Sequence, residues 1–358
     1  MINITLKIIT LIEDYLKKIG ILTAGGDCPG LNAIIRSVVI SANLINMEVI
    51  GFLNGFAGLN ENQYRNLSPR DVEDIIDRGG SILGCSGKNP FIEENKKNCL
   101  ENFKNLNLEG VIVIGGNSSM GTAFLAHKEG INVIGIPKTI DNDVFGTDIT
   151  VGFDTAVQIA TEAIDRLKTT AQSHDRIMVV ETMGRDVGWI AVASGIAGGA
   201  DLIITPEKAI DPDKLVKSVK SINKNSGNNS NVIVIGEGAK FINDQEQTIT
   251  SRPDGSKRLG GIGNRLAEFI SDQTGFETRV SVIGHLQRGG TPTTRDRLLA
   301  SRFGVFATKS LSKGEGGFMV ADKGRTIIKQ PLKLVANKIK KVDPQLLETA
   351  RSLETIAF

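Results

Sequence analysis

The chain has 358 residues, 40% of them hydrophobic, 23% charged and 5% aromatic, with a formal net charge of +2. That length exceeds one ordinary domain, so two lobes with ample core material are expected. Near-neutral charge without a Lys/Arg block argues against nucleic acid or an anionic membrane as partner, and so few aromatics argue against a base-stacking platform.

The opening stretch "MINITLKIITLIEDYLKK" has an apolar run broken by Glu13 and Asp14. It lacks a small-residue cleavage site and falls short of membrane-spanning length, so residues 1–17 are read as an N-terminal extension without assigned chemistry. From there short apolar runs recur, each followed by glycines or polar residues and then a helical pattern. "KIGILTA" leads into "GGDCPG" and the helix-spaced "LNAIIRSVVISANL"; "EVIGFL" leads to "NGFAGL"; "GVIVIGG" leads to "NSSMGTAFLAHKEG"; "NVIGIPK" leads to "TIDND". Later come "RIMVVETMG", "ADLIITPE", "NVIVIGEGA" and "ETRVSVIGHLQ". Continuous Val/Ile runs alternating with helices indicate parallel strands covered on both faces, an α/β fold of two doubly wound, mainly parallel-sheet lobes. "NKNSGNNSN" and "TITSRPDGSKRLGGIGN" read as loops. The three cysteines, Cys28, Cys85 and Cys99, cannot all pair and lack CxxC spacing, which fits a reducing cytoplasm.

In such sheets ligands bind at the carboxyl ends of the strands, where the polar bursts fall. Gly25 and Gly26 allow close backbone approach between a strand and a helix start, a place suited to phosphate. Gly116, Asn117, Ser118 and Ser119 repeat that design, and two such loops can make a polyphosphate cradle. Asp141 and Asp143 stand two apart, and carboxylates that close repel unless a cation or a transferable proton sits between them. Beside a polyphosphate they can hold a hydroxyl proton and Mg2+, with Thr139 donating to phosphoryl oxygens. Arg176 and Arg185 flank one later strand; Arg279 precedes another, and His285 and Arg288 follow it, all cations suited to a terminal phosphate.

The segments "GILTAGGDCPGLNAIIR", "PKTIDND", "MGRDVGWIA", "EGA" and "GHLQRGGTPTTRDRLLASRFG" resemble the 6-phosphofructokinase family in identity, order and spacing, from about Lys18 to beyond Phe306. The resemblance implies transfer of a phosphoryl group to the 1-hydroxyl of fructose 6-phosphate, with Mg2+ as cofactor and the active site in the cleft between the lobes. It implies a donor-binding lobe over 18–152 plus about 287–338, and a fructose 6-phosphate lobe over 153–286 plus about 339–358. Asp141 would be the general base and Thr139 would contact the moving phosphoryl group, with Asp143 in the same shell. Met183, Gly184 and Arg185 match the sugar-binding "MGR", Glu237 a carboxylate that holds sugar hydroxyls, and His285 and Arg288 groups at the sugar phosphate. Arg176 and Arg279 match arginines that reach that phosphate from a neighbouring subunit, so a homo-oligomer, a tetramer, is expected.

Some positions depart from the family pattern. Asn117 stands where an Asp usually serves Mg2+, so the metal residues expected here are Asn117 and Asp143. Gly87 stands where many members carry an arginine for the transferring phosphate, with Lys88 beside it. Ser118 replaces the Asp of pyrophosphate users, which removes a charge that would repel a nucleotide α-phosphate. Lys138, typical of pyrophosphate users, and Thr122, which would crowd an adenosine, pull the other way. ATP is the expected donor; pyrophosphate is the alternative, and a catalytically impaired sugar-phosphate-binding relative the second.

Overall fold

The computed structural model describes residues 17–92, 96–226, 230–242, 248–251, 257–353 and 355. The expected N-terminal extension therefore lies, save for Lys17, outside the described residues. In chain order the elements are β1 (Lys17–Thr23), α1 (Leu31–Asn43), β2 (Met47–Phe52), α2 (Phe56–Glu61), β3 (Tyr64–Leu67), α3 (Lys96–Asn105), β4 (Leu108–Gly115), α4 (Asn117–Lys128) and β5 (Val133–Pro137). Then come α5 (Phe153–His174), β6 (Ile177–Thr182), α6 (Trp189–Ala197), β7 (Leu202–Ile204), α7 (Pro212–Ser226), β8 (Asn231–Gly236), β9 (Thr248–Ser251) and β10 (Lys257–Leu259). The last are α8 (Ile262–Thr274), β11 (Thr278–Val282), α9 (Thr294–Leu311), β12 (Phe318–Lys323), β13 (Thr326–Pro331), α10 (Leu332–Val335) and α11 (Pro344–Ser352).

One compact unit contains the described residues up to Thr139 with Val144–Gly152 and Gly290–Ile339. Its seven-stranded sheet has the order β13–β12–β5–β4–β1–β2–β3. Strands β12, β5, β4, β1 and β2 run parallel, while β13 and β3 close the edges antiparallel. β4, "LEGVIVIG", buries every residue except Glu109, as a strand covered on both faces must. Its side chains pack with Leu22, Phe52, Met120, Ala123 and Met319 in one core. Helix α1 starts behind Gly30, whose φ of 97° puts it in the left-handed region. A Cβ there would come within 2.5 Å of Val151 Cγ1, so only glycine fits.

The second unit comprises Ile140–Asp143, Phe153–Gly289 and the described residues from Lys340 onward. Its four-stranded sheet, β11–β6–β8–β7, is wholly parallel. Ile177, Val179, Ile233 and Ile235 face a core completed by Leu215 and Val219 of α7 and by Leu266 and Ile270 of α8. Helix α5 packs on β6 and β8 and against α6. Both sheets have the α/β architecture that the Val/Ile runs predict. Asp141 and Asp143 group with this second unit, although residues 18–152 are expected to lie together. The physical reason is local: Lys340 N–H donates to Asp143 O at 2.7 Å, and Lys340 Nζ to Asn142 Oδ1 at 2.9 Å.

The stretch read as a loop from Thr248 carries β9 and β10, an antiparallel pair. Short segments rich in Thr, Ser, Lys and Arg carry no apolar alternation for a sequence pattern to reveal. In the other expected loop, 223–231, residues 227–229 lie outside the described residues.

Candidate active site

In the first unit β1 ends in a turn whose Gly26 is exposed. Ala24 N–H donates to Ile114 O at 2.8 Å and Gly25 N–H to Ser86 O at 2.9 Å, tying the turn to β4 and to the "LGCSG" loop. Gly25 has a φ of 81°, and a Cβ on it would lie 3.3 Å from Ser119 Oγ. The Gly25–Gly26 turn thus meets the first turn of α4, which begins at Asn117 after the extended Gly116. Helix N-terminal N–H groups and a glycine turn side by side are a phosphate-binding arrangement.

Lys138 joins them. Its side chain is 2% exposed, and its ammonium donates to Ala24 O at 3.1 Å and to Gly26 O. An ammonium has three donors, so two are used to brace the turn. Ser118 is exposed on α4, and its carbonyl accepts from Thr122 Oγ1 at 3.1 Å; Thr122 is itself buried. Gly87 is exposed, and a Cβ added there would meet nothing within 4 Å. Lys88, 72% exposed, leans to Glu61 at 3.6 Å. Thr139 is fixed through its backbone: its N–H donates to Val151 O at 3.2 Å, and its carbonyl accepts from Thr150 Oγ1 at 2.6 Å.

In the second unit the residues expected to meet the sugar come from the carboxyl ends of three neighbouring strands. Met183, Gly184 and Arg185 follow β6, with Gly184 at a φ of 130° and Arg185 exposed. Glu237 follows β8, and its N–H donates to Thr182 O at 2.9 Å. His285 and Arg288 lie on a 3-10 turn, Gly284–Arg288, after β11; Ile283 N–H donates to Glu181 O at 3.0 Å and holds that turn against β6. A Cβ on Gly238 would run into Arg185 O, so the "EGA" glycine lets the β6 and β8 loops touch.

The charges of this cluster act on one another. Burial, then the carboxylates of Asp141 and Glu181, push the Glu237 carboxyl up to about 7, against the Gly184 N–H and the Arg288 guanidinium, which favour its charged form. Glu181 is 2% exposed, and its Oε2 accepts from Gly263 N–H at 2.8 Å at the start of α8. Burial raises its pKa too, and the N–H groups of Gly263 and Gly261 oppose this. Asp141, Glu181, Arg288 and the Gly184 backbone thus all bear on the Glu237 carboxyl.

Arg176 and Arg279 are not part of that cluster. Arg176 precedes β6 and Arg279 is the second residue of β11, at the opposite end of the sheet from Met183 and His285, which follow those strands. Both pair with one carboxylate, Glu277: Arg176 Nε at 2.8 Å and Arg279 Nη2 at 2.6 Å.

Two residues of the site carry no signal in the sequence. Glu181 sits inside an apolar run and reads as an ordinary strand residue. Lys340 sits in "NKIKKVD", where nothing distinguishes it from the lysines on either side. Among the described residues no group of three or more His, Cys, Asp or Glu gathers as a metal site. Among the described residues, too, no helix is long and apolar enough to cross a membrane.

A family profile described as "Phosphofructokinase" matches residues 18–311. The chain is 44% identical over 355 residues to an ATP-dependent 6-phosphofructokinase of Spirochaeta thermophila, covering 94% of this chain and 96% of that one. It is also 44% identical over 339 residues to a pyrophosphate–fructose 6-phosphate 1-phosphotransferase of Dictyoglomus thermophilum, covering 94% and 98%. Among solved structures, a pyrophosphate-dependent phosphofructokinase of Nitrosospira multiformis superposes with a TM-score of 0.80 at 22% identity, over 92% of this chain and 87% of that one, a likeness of fold.

Proposed function

The chain belongs to the phosphofructokinase family, phosphotransferases that act on a hydroxyl of fructose 6-phosphate, and on that premise we propose that it makes fructose 1,6-bisphosphate with ATP as donor and Asp141 as general base. Asp141 takes the proton of the 1-hydroxyl as that oxygen forms its bond to the γ-phosphorus; the bond from that phosphorus to the bridging oxygen breaks, and ADP leaves with the electron pair. Thr139 donates to the moving phosphoryl oxygens, and Gly25, Gly26, Gly116, Ser118, Ser119 and Lys138 cradle the donor's phosphates, with Gly87 and Lys88 at the rim. Met183, Gly184, Arg185 and Glu237 hold the sugar, and His285 and Arg288 its phosphate. The observation that supports this reading is the convergence of Arg185, Glu237, His285 and Arg288 at the carboxyl ends of the neighbouring parallel strands β6, β8 and β11, with the Glu237 carboxyl pushed up by burial and then by the Asp141 charge.

Mg2+ fits the donor set. Asp143 and Asn117 offer hard oxygen ligands, and this ion is commonly held by one or two protein oxygens together with substrate phosphates, so no dedicated cage is needed. When bound it would supply charge neutralisation on the donor phosphates. The enzyme is proposed to work in the cytoplasm, in line with three cysteines, Cys28, Cys85 and Cys99, that show no CxxC spacing, and as a homotetramer in which Arg176 and Arg279 serve a neighbouring subunit.

Pyrophosphate as donor is the second reading, favoured by the buried Lys138 and by relatives that bear that name. Initial rates with ATP and with pyrophosphate at saturating fructose 6-phosphate decide between them: kcat/KM for ATP should be the larger, and a clear excess for pyrophosphate overturns the choice. Asp141→Asn should lower kcat by roughly two or more orders of magnitude, the worth of general base catalysis, with KM for fructose 6-phosphate moving far less. Near-normal turnover would remove Asp141 from its role.

A further inference from the structure

We infer that Lys340 is a positioning residue for the carboxylate segment, fixing the backbone that presents Asp141 and Asp143; the inference rests on the assignment of Asp141 as base. Lys340 lies far along the chain yet meets the segment at successive atoms. Its backbone N–H donates to Asp143 O at 2.7 Å, and its ammonium to Asn142 Oδ1 at 2.9 Å. The same ammonium stands 4.7 Å from the centre of the Trp189 ring, and the Trp189 indole N–H donates to Lys340 O at 3.1 Å. Lys340 is therefore held at both its carbonyl and its charge by one buried aromatic side chain, the first residue of α6.

The residue it grips needs holding. Asn142 is 1% exposed and has a φ of 51°, in the left-handed region that side chains other than glycine adopt only with local support. Asn142 stands between the two carboxylates, so its peptide planes set the direction in which each leaves the backbone. A cation held over an electron-rich ring in a partly dehydrated site favours one conformer. The neighbouring lysines do other things: Lys338 Nζ stands 5.1 Å from the Phe145 ring, and Lys341 is exposed. The proposed sugar contacts come from β6, β8 and β11, so a looser carboxylate segment should harm the chemical step and spare sugar binding. A misplacement of about 1 Å at a reacting group can cost on the order of a hundredfold in rate.

The test compares Lys340→Met and Lys340→Arg with the parent enzyme, using the preferred donor. Lys340→Met should lower kcat ten- to a hundredfold and leave KM for fructose 6-phosphate within threefold, and Lys340→Arg, which keeps the charge over Trp189, should recover kcat to within about fivefold of the parent. A Lys340→Met kcat within twofold of the parent, a change confined to KM, or an arginine variant as impaired as the methionine one overturns the inference. If Lys340→Met does not fold, Asn142→Gly carries the test: it tolerates the backbone angle but removes the acceptor, and kcat should fall at least tenfold at unchanged KM; a kcat within twofold of the parent overturns the inference here as well. Asp141→Asn in the same assay separates the two readings. If it keeps turnover, the base assignment fails; if it loses turnover and the Lys340 variants do not, only the positioning role fails.

Discussion

Asp141 and Glu237 stand close enough that the charge on the first makes the second harder to ionise, and burial does the larger part of the same work, leaving Glu237 with a pKa of about 7 against an ordinary 4.5. A carboxyl poised there changes charge across the pH range in which a glycolytic enzyme works, and its partners lie on several segments: Asp141 on the chain before Asn142, Glu181 on β6 and Arg288 on the turn after β11.

The pH profile of sugar use should therefore carry a limb that belongs to Glu237. kcat/KM for fructose 6-phosphate should rise through an apparent pKa near 7 as the carboxylate becomes able to accept sugar hydroxyls. Glu237→Gln should lose that limb and keep only the substrate phosphate's own ionisation near 6, with kcat/KM reduced roughly ten- to a hundredfold, as expected for a lost charged hydrogen bond. Stability gives an independent reading. Because the folded pKa lies above the unfolded one, the proton on Glu237 stabilises the fold fully below about 4.5, and that contribution is lost as pH rises through about 7. Tm of the parent relative to Glu237→Gln should fall between pH 5 and pH 8; a constant difference would exclude the raised pKa.

Gly87 offers a gain of function. Its place is open, with nothing within 4 Å of an added Cβ, and its φ lies outside the strained positive region. Gly87→Arg should fold normally and raise kcat several-fold by adding a forked guanidinium for the transferring phosphate, a geometry that the flexible ammonium of Lys88 does not supply. Unchanged steady-state kinetics in a folded variant would show that this rim does not touch the donor.

Ser118→Asp tests the donor preference. The side chain sits exposed in the first turn of α4, where a carboxylate is compatible with the helix dipole. The new charge should lower kcat/KM for ATP tenfold or more by repelling its α-phosphate, while kcat/KM for pyrophosphate stays within about threefold. Thr122 should matter less, since its hydroxyl is turned back onto Ser118 O and its side chain is buried in the helix. Equal losses with both donors would place Ser118 away from the nucleotide.

Arg176 and Arg279 converge on Glu277 at the end of the sheet remote from Glu237. If they complete the phosphate clamp of a neighbouring subunit, specific activity should fall on dilution in step with the mass measured by light scattering. Arg279→Ala should then raise KM for fructose 6-phosphate at least tenfold without changing Asp141-dependent turnover of bound substrate. A fully active monomer would be the contrary result.

Much of the fold is legible in the sequence because buried parallel strands have only one way to look. β4 and β8 are unbroken apolar runs, and each is followed by the turn residues that end it. β3, β12 and β13 pass unnoticed for the opposite reason. β3 and β13 are edge strands with mostly exposed or half-buried residues, and β12 ends in Asp322 and Lys323. Among the candidate site residues, the sequence singles out Asp141, Glu237 and Arg288 because each follows a strand within a recognisable motif. Lys340 was not, since its meeting with Asn142 spans 198 positions and depends on the route of the chain between them. The Arg176–Glu277–Arg279 pairing likewise joins two strands that only the folded sheet makes neighbours.

The return of β12 to β5 also sets a schedule for the growing chain on the ribosome. β5 is made early, but its parallel partner emerges about 180 residues later, a wait on the order of ten to forty seconds at ordinary elongation speeds. Throughout that interval the nascent sheet ends at Val133–Pro137, an apolar edge with unsatisfied amides and carbonyls, and the core lacks Met319, Ala321, Leu332 and Val335. In the other sheet the longest wait between paired strands, from β6 to β11, is about half as long, because its segment is continuous from Phe153 to Gly289. Translation halted before Phe318 thus leaves a sticky, half-edged sheet, and shielding that edge becomes a task for chaperones in the cell that makes the protein.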